Sequence, residues 1–371
     1  MAEGGHHHRF ASKRPRDPYD DRELCKRPMG SSSPVVQSLS VLPHLYDRAF
    51  PLYQQPVELG CFSLDAKRSF FNDDRQLRYF VDPGKWLEFD LRDGYHSRFI
   101  RRDETVKEKL DHLLKWILQN QHKTHPKDSS KGRAVDVDFV TWRGHLTKVL
   151  TTPYERQEGW AMAATLFNGT IYLSEVETEE ARASREARTD RDQEMMYWGY
   201  KFEQYMCAEK VEGAPDPGGV VNTNEAFCTV VQTRLVCHTL LFSGEVDCRL
   251  KDPKAPPAPG CYVELKTSAE IRTSKQRSNF LRYKLIKWWA QSFLPGVPLI
   301  VAGFRDKDGI VASVETFKTS KISQMIKSEY ETWKPTVCMN FCNDFLSFVK
   351  SVVREDNPGI PMGKDLCVAL D

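Results

Sequence analysis

Gly244-Glu245-Val246-Asp247 and, beyond a proline-rich interval, Val263-Glu264-Leu265-Lys266 are the two stretches that decide the fold. In a strand, side chains alternate between faces, so Glu245 and Asp247 share one face with Val246 on the other, and Glu264 shares a face with Lys266. Neighbouring strands lie about 4.8 Å apart, so pairing of these two segments would gather three carboxylates and one ammonium within metal-binding distance. Anionic oxygen sets of this kind select hard cations, Mg²⁺ or Mn²⁺, over zinc.

Outward from this centre, strand-like segments run Ala226 to Cys237, Leu240 to Asp247 and Cys261 to Thr267, with an irregular Lys251 to Gly260 loop. A helix from about Ser278 to Leu294 turns Leu281, Leu285, Trp288, Trp289 and Ser292 inward and leaves Lys284, Lys287 and Gln291 on its polar face. Upstream, a helix from about Glu194 to Ala208 carries Met195, Trp198, Phe202 and Met206 as its core stripe and Glu203 on the flank, a fourth carboxylate. Four acids suffice for two octahedral ions of the kind that sit ~3.5 to 4 Å apart in two-metal phosphodiester chemistry. Asn168-Gly169 between Trp160 to Phe167 and Thr170 to Glu177 predicts a hairpin with a two-residue turn, because both central positions need positive φ. A second hairpin turns through Asp306-Lys307-Asp308, and two helices follow. Periodicity also predicts a helix from Asp103, as N-cap, to Asn120 and another over Val137 to Thr151 that contains Arg143 and stops at Pro153.

With 53 Lys and Arg against 51 Asp and Glu, a formal charge of +2 gives no bulk electrostatic sign of nucleic-acid binding, so any partner must be argued from local sites. The ten cysteines include no Cys-x-x-Cys pair, which argues against a zinc module and for buried thiols in a reducing compartment. No apolar run approaches the ~18 residues of a membrane span, and residues 1 to 17 hold no signal-peptide core. The organisation expected is a basic, Ser/Pro-rich tail over 1–40, a catalytic domain over 41–355, and a divergent or truncated tail over 356–371. Lys13-Arg14-Pro15-Arg16 reads either as a nuclear address or as a solvated charge run.

An Asp, a spacer and then Glu-x-Lys resembles the PD-(D/E)xK nuclease core. In such a core the acids hold metal, the metal makes a water nucleophilic, and the lysine orients that water or offsets phosphoryl charge. Alone the motif is weak, since Glu-x-Lys is ordinary on an exposed strand face. Arg143, in Thr141-Trp142-Arg143-Gly144, adds a planar fork suited to phosphate; its bland alternative is a helix-surface arginine with a buried stem.

Seven strings in order are far more specific. Glu58 to Asp65 (ELGCFSLD), Phe89 to Tyr95 (FDLRDGY), Thr141 to Gly159, Gly199 to Cys207 (GYKFEQYMC), Phe242 to Asp247, Tyr262 to Ser268 and Lys287 to Pro298 closely resemble the vertebrate decapping and exoribonuclease (DXO) family. The resemblance runs from about residue 43 to about residue 350. It implies a single α/β domain with a mixed central β-sheet flanked by helices and a PD-(D/E)xK nuclease-like core. It implies a metal-dependent hydrolase that removes pyrophosphate from 5′-triphosphate RNA, releases unmethylated guanosine caps and NAD caps, and degrades RNA 5′ to 3′. Two Mg²⁺ ions, or Mn²⁺, would be held by Glu203, Glu245, Asp247, Glu264 and the Leu265 carbonyl, with Lys266 completing the catalytic set. RNA contacts would fall to Arg68, Glu108, Trp142, Arg143, Gly144, Cys228, Glu245, Lys266 and Gln291. The resemblance also implies RNA 5′ ends as partner; the lack of long apolar runs implies no membrane, a monomer is the default for a near-neutral chain, and the basic cluster with reduced thiols points to the nucleus, with the cytoplasm as alternative.

The stretch from Pro361 to Asp371 departs from the family, which continues into a further strand-rich segment; loss of a peripheral strand would expose core surface and lower stability. Two other functions compete: a general PD-(D/E)xK nuclease acting on DNA, and a non-catalytic RNA-binding or exonuclease-activating scaffold. Against the scaffold, four converging acids without a metal repel one another at considerable cost.

Overall fold

Strand Leu299–Arg305 reads LIVAGFR because it is covered on both faces, as strands in parallel pairings are. Ile300, Ala302 and Phe304 enter the main core, while Val301 packs with Val263 and Leu265 beneath a helix on the opposite side. The computed structural model describes residues 37–84, 87, 89–125, 135–327 and 332–355 and the backbone of 366–370. Lys13 to Arg16 and nearly all of the 1–40 tail lie outside the described residues, whereas residues from Leu39 onward belong to one compact unit.

Among the described residues two mixed sheets carry most of the β structure of that unit, beside a small parallel pairing of Phe99–Ile100 with Val221–Asn222. The first has eight strands in the order Leu366–Leu370, Trp160–Phe167, Thr170–Val176, Phe139–Trp142, His238–Glu245, Ala226–Leu235, Val57–Leu64 and Phe70–Phe71. Phe139–Trp142 is parallel to both neighbours, and the other pairings are antiparallel. The second has six, in the order Val311–Lys318, Leu299–Arg305, Tyr262–Ala269, Cys248–Arg249, Tyr79–Phe80 and Cys207–Ala208. The α/β architecture of mixed sheet flanked by helices is therefore present, with the β structure divided between two sheets. Helices Arg143–Thr151, Leu285–Phe293 and Pro335–Val352 pack together in the main core, which takes one face of each sheet. Helix Asp111–Gln119 covers the other face of the first sheet through Leu113 and Trp116, and helix Asp190–Met206 covers the other face of the second through Trp198 and Phe202.

The Asn168-Gly169 turn has φ of 45° and 73°, as its sequence predicts. Helix Asp190–Met206 starts four residues early, where Thr189 and Asp192 cap each other's backbone N–H groups. Its buried stripe is Tyr197, Trp198, Phe202 and Met206; Met195 is exposed. The rod after the Glu-x-Lys strand is helical from Ser274 to Phe293 but widens at Phe280–Lys284 into a π-helical turn, where the Leu285 N–H donates to the carbonyl of Phe280 five residues back. Leu281, Leu285, Trp288, Trp289 and Ser292 are all buried, as expected.

Three expectations are corrected. The helix expected from Asp103 begins at Asp111: Asp103 instead accepts from the N–H and hydroxyl of Thr105, and Lys109 at φ 44° breaks the helical path. Residues 139–142, expected in a helix, form a strand wedged between two parallel partners, and Arg143 opens the helix that follows. The tail expected over 356–371 does not describe 366–370, which pair antiparallel with Trp160 to Ala164 and cover that sheet edge.

Candidate active site

The two acidic strand motifs do not pair in the way their spacing suggests. Strand His238–Glu245 belongs to the first sheet, where Glu245 lies opposite Cys228. The chain then crosses to the second sheet: Val246 donates to the Phe227 carbonyl and packs with Phe227, Tyr262 and Val297, and Cys248 pairs with Val263. Glu245 and Asp247 bracket that crossing, on the side opposite the Val246 plug. Antiparallel pairing with the Glu-x-Lys strand is confined to the short continuation Cys248–Arg249.

What converges is nonetheless the expected set. Arg143, Tyr200, Glu203, Glu245, Asp247, Glu264, Leu265 and Lys266 line one hollow of about 300 Å³. Glu264, 2% exposed, gives one carboxylate oxygen to Lys266 Nζ at 2.5 Å and the other to Arg143 Nη1 at 2.9 Å. Leu265 N–H donates to Asp247 Oδ2 at 2.6 Å, so this backbone position is fixed against an acid. Arg143 reaches the site by crossing Gly244: a Cβ there would stand 2.9 Å from Arg143 Cβ and 3.0 Å from its Cδ and Nε. Glu203 is seated by its neighbour Phe202, whose ring lies so close over Gly303 that a Cβ on that residue would stand 2.5 Å from Cε2.

The acids differ in their electrostatics. Burial raises the Glu203 pKa well above the usual carboxylate range, and Asp247 and Glu245 raise it further. Burial and Glu264 push Asp247 up to about 7 against the pull of Lys266 and the Leu265 N–H. Glu245 keeps access to solvent, yet the protein mass around it raises its pKa despite Arg143, Arg68 and Arg78. Glu264 is the opposite case: burial alone would raise it, but Arg143 and Lys266 hold it down at about 2. The cluster therefore has one acid held ionised by its cations and three whose pKa burial and mutual repulsion raise despite nearby positive charge.

Among the described residues no three acidic, histidine or cysteine groups already form a metal cage. The reason is visible in the contacts, since both oxygens of Glu264 and one of Asp247 are engaged by protein donors. The donor set is all oxygen, and the missing charge is positive, so the residues fit a hard divalent cation.

The remaining expected contacts lie around this hollow. Arg68, at φ 61°, forks onto Glu108 at 3.0 and 2.5 Å, and Arg102 adds a bond at 2.9 Å to the same carboxylate. Although burial opposes it, this cationic company, Arg68 foremost, holds Glu108 at about 2. Trp142 and Gly144 flank Arg143, with the Trp142 indole donating to the Lys109 carbonyl at 2.7 Å and open space above Gly144. Cys228 is buried beside Glu245. Gln291 lines an adjoining hollow of about 610 Å³ that shares Lys266 with the first. In that hollow Lys284 donates to Thr267 O and Ser268 Oγ, both at 3.2 Å, while Lys287 pairs with Glu155.

Sequence reasoning missed Tyr200, Arg78, Gly244 and Gly303. Tyr200 precedes Glu203 by three on one helix and lines the same hollow, so helical spacing alone could have found it. Arg78 lines a third hollow, of about 480 Å³, that shares Tyr200, Glu203, Glu245 and Asp247. Nothing local marks it.

Fold and site together define a metal-dependent hydrolase of the PD-(D/E)XK nuclease class. The chain belongs to the family described as RAI1 like PD-(D/E)XK nuclease, matched over residues 54–363. It is 54% identical to the decapping and exoribonuclease protein of Mus musculus over 343 residues, covering 91% of this chain and 85% of that one. Among solved structures it resembles S. pombe Rai1 in complex with 3′-FADP, with a TM-score of 0.67, 28% identity, and coverage of 86% and 92% of the two chains. It also resembles Candida albicans Rai1 in complex with pU5 and Mn²⁺, with a TM-score of 0.72, 25% identity, and coverage of 86% of each chain.

Proposed function

We propose that this chain hydrolyses RNA 5′ ends: it removes pyrophosphate from triphosphate ends, releases unmethylated guanosine and NAD caps, and degrades the exposed strand 5′ to 3′. The observation that carries the reading is the single hollow in which Glu203, Glu245, Asp247 and Glu264 meet Lys266 and Arg143. All these activities are hydrolytic attacks on phosphorus, so one site serves them if it tolerates different leaving groups. Similarity to relatives named for decapping and exoribonuclease action, and to a neighbour that binds pU5 with Mn²⁺, supports RNA as substrate.

Two Mg²⁺ ions, replaceable by Mn²⁺, would be held by Glu203, Glu245, Asp247, Glu264 and the Leu265 carbonyl, and would supply Lewis acidity and an activated water. The chain's own groups do the rest. Arg143 and Lys266 keep Glu264 ionised and present cationic donors to phosphoryl oxygens. The Arg68 and Glu108 pair presents a rigid charged wall near Cys228 and Glu245. A monomer working in the nucleus fits this reading.

Mass identification of the products from triphosphate-, GpppN- and NAD-capped RNA with Mg²⁺ tests it. Expected products are pyrophosphate, the cap fragments and 5′-phosphorylated RNA; recovery of all three substrates intact sinks it. Glu245→Ala with Asp247→Ala should abolish every activity, and DNA cut as fast as RNA of one sequence would replace RNA as the substrate.

A further inference from the structure

Three hollows meet or adjoin the carboxylate cluster, and their charges differ. Beyond the cluster acids, the hollow on the Arg78 side is walled by Glu209, Asp216 and Glu225 against Arg78 and Lys210. The hollow on the Gln291 side is walled by Lys266, Lys284 and Lys287 with Glu270, and by the apolar surfaces of Phe280 and Trp288. A polyanion with its 5′ end among the acids is repelled by the first wall and attracted by the second.

Tyr283 continues that second wall. It stands on the π-helical turn, 55% exposed, and borders both the Gln291-side hollow and a separate one of about 450 Å³ on the far side of the turn. The far hollow is lined by Arg156, Arg282 and Lys334 and by the rings of His44, Tyr154 and Tyr283. Asp47 is the acid among its described lining residues, and it is ion-paired to Lys334. A third neighbour, beside Phe304 and Phe317, balances Arg272 and Arg277 with Glu270 and Glu315.

Cationic donors interleaved with exposed rings are the chemistry that holds a single strand without regard to sequence: the cations track phosphates and the rings stack bases. We propose that the RNA body leaves the active site over Lys284 and Lys287, passes Tyr283, and is held in the far hollow by Arg156 and Tyr283 as a distal single-strand binding site. This rests on the RNA reading above. The site acts on substrates long enough to extend from the carboxylate cluster through the Gln291-side hollow to Tyr283.

Steady-state hydrolysis by the full chain with Mg²⁺ tests the proposal on two probes, a 5′-phosphorylated dinucleotide and a 5′-phosphorylated oligouridine of about 15 nucleotides. The variants are Tyr283→Ala, Arg156→Glu and, on the charge-balanced neighbour, Arg277→Glu. All three positions lie on exposed side chains, and melting curves check that each variant folds. For Tyr283→Ala and Arg156→Glu the expected result is a KM for the long probe raised about tenfold, with kcat and the dinucleotide kinetics unchanged. Arg277→Glu should leave both probes unchanged. Long-probe KM values equal to wild type, or equal losses on both probes, overturn the distal site. Failure of the unmutated chain to hydrolyse either probe instead overturns the RNA reading beneath it. Equal retention of the long probe and of a DNA strand of the same length supports the site, because stacking and phosphate contacts do not distinguish sugars.

Discussion

Arg143 and Glu264 meet at 2.9 Å across the gap between the two sheets, one opening the helix behind the first sheet and the other lying inside a strand of the second. Their side chains are 13% and 2% exposed, so each is the other's main compensation for lost water. Removing one partner of a buried pair typically costs about 3–5 kcal/mol. Arg143→Met should therefore lower stability by that order in urea unfolding and abolish hydrolysis, whereas Arg143→Lys, which keeps the charge, should lose less. An Arg143→Met chain as stable as the parent would show that the pair does not tie the sheets together.

Gly244 is the position over which Arg143 passes. Gly244→Ala would put a methyl 2.9 to 3.0 Å from three atoms of that side chain, in a strand with no room to yield. Overpacking of this kind costs about 1–3 kcal/mol. The expected signature is a fall in kcat larger than the loss of melting temperature accounts for, because the displaced group is a substrate-facing cation.

Glu203, Glu245 and Asp247 repel one another when no cation is bound. Glu203→Gln removes one charge, so the metal-free chain should melt at a higher temperature. The rise in melting temperature on adding Mn²⁺ should shrink, because a ligand that binds only the folded state stabilises it in proportion to its affinity. Thermal scans with and without Mn²⁺ measure both. A larger metal-induced shift in the variant would remove Glu203 from the ligand set.

Far from the site, Asp138 joins the first sheet to the last helix through Lys350 at 2.9 Å. Burial would raise its pKa, but Lys350 and the Thr239 donors outweigh burial and hold it at about 2, below the ordinary 3.8. A depressed carboxylate gives its full stabilisation above its unfolded pKa and loses it as pH falls through its folded pKa. Between about pH 4 and pH 2 the parent should lose roughly 2 kcal/mol that Asp138→Asn does not lose over the same range. Parallel acid-unfolding curves for the two chains would contradict this.

Much of the site was legible because its residues sit on elements with strict periods. Alternation put Glu245 with Asp247 and Glu264 with Lys266, and helical spacing put Glu203 on an accessible flank. What alternation could not show is that the strands carrying these pairs lie in different sheets. That depends on Val246 finding an apolar pocket made by Phe227, Tyr262 and Val297, residues distant in sequence. The misplaced start at Asp103 has a similar origin: the heptad-like spacing of Val106 and Leu110 continues upstream of the helix, but Glu108 is claimed by Arg68 and Arg102, which holds that segment in turns. Gly244 and Gly303 were invisible because a glycine in a strand says only that something comes close, and the neighbours here come from other elements.

The wide turn at Phe280–Lys284 sets the phase of the rod that contains it. Each residue advances a regular helix by about 100°, so the extra residue rotates everything upstream relative to everything downstream by that angle. Asn279 on one side of the turn and Lys287 and Gln291 on the other consequently look into the same hollow, where a regular helix would set them about 80° and 120° apart. Deleting one residue from the turn would leave composition, charge and hydrophobic content nearly untouched while swinging Asn279 away from Lys287 and Gln291. Insertions or deletions within Phe280–Lys284 should therefore be less tolerated than conservative substitutions there.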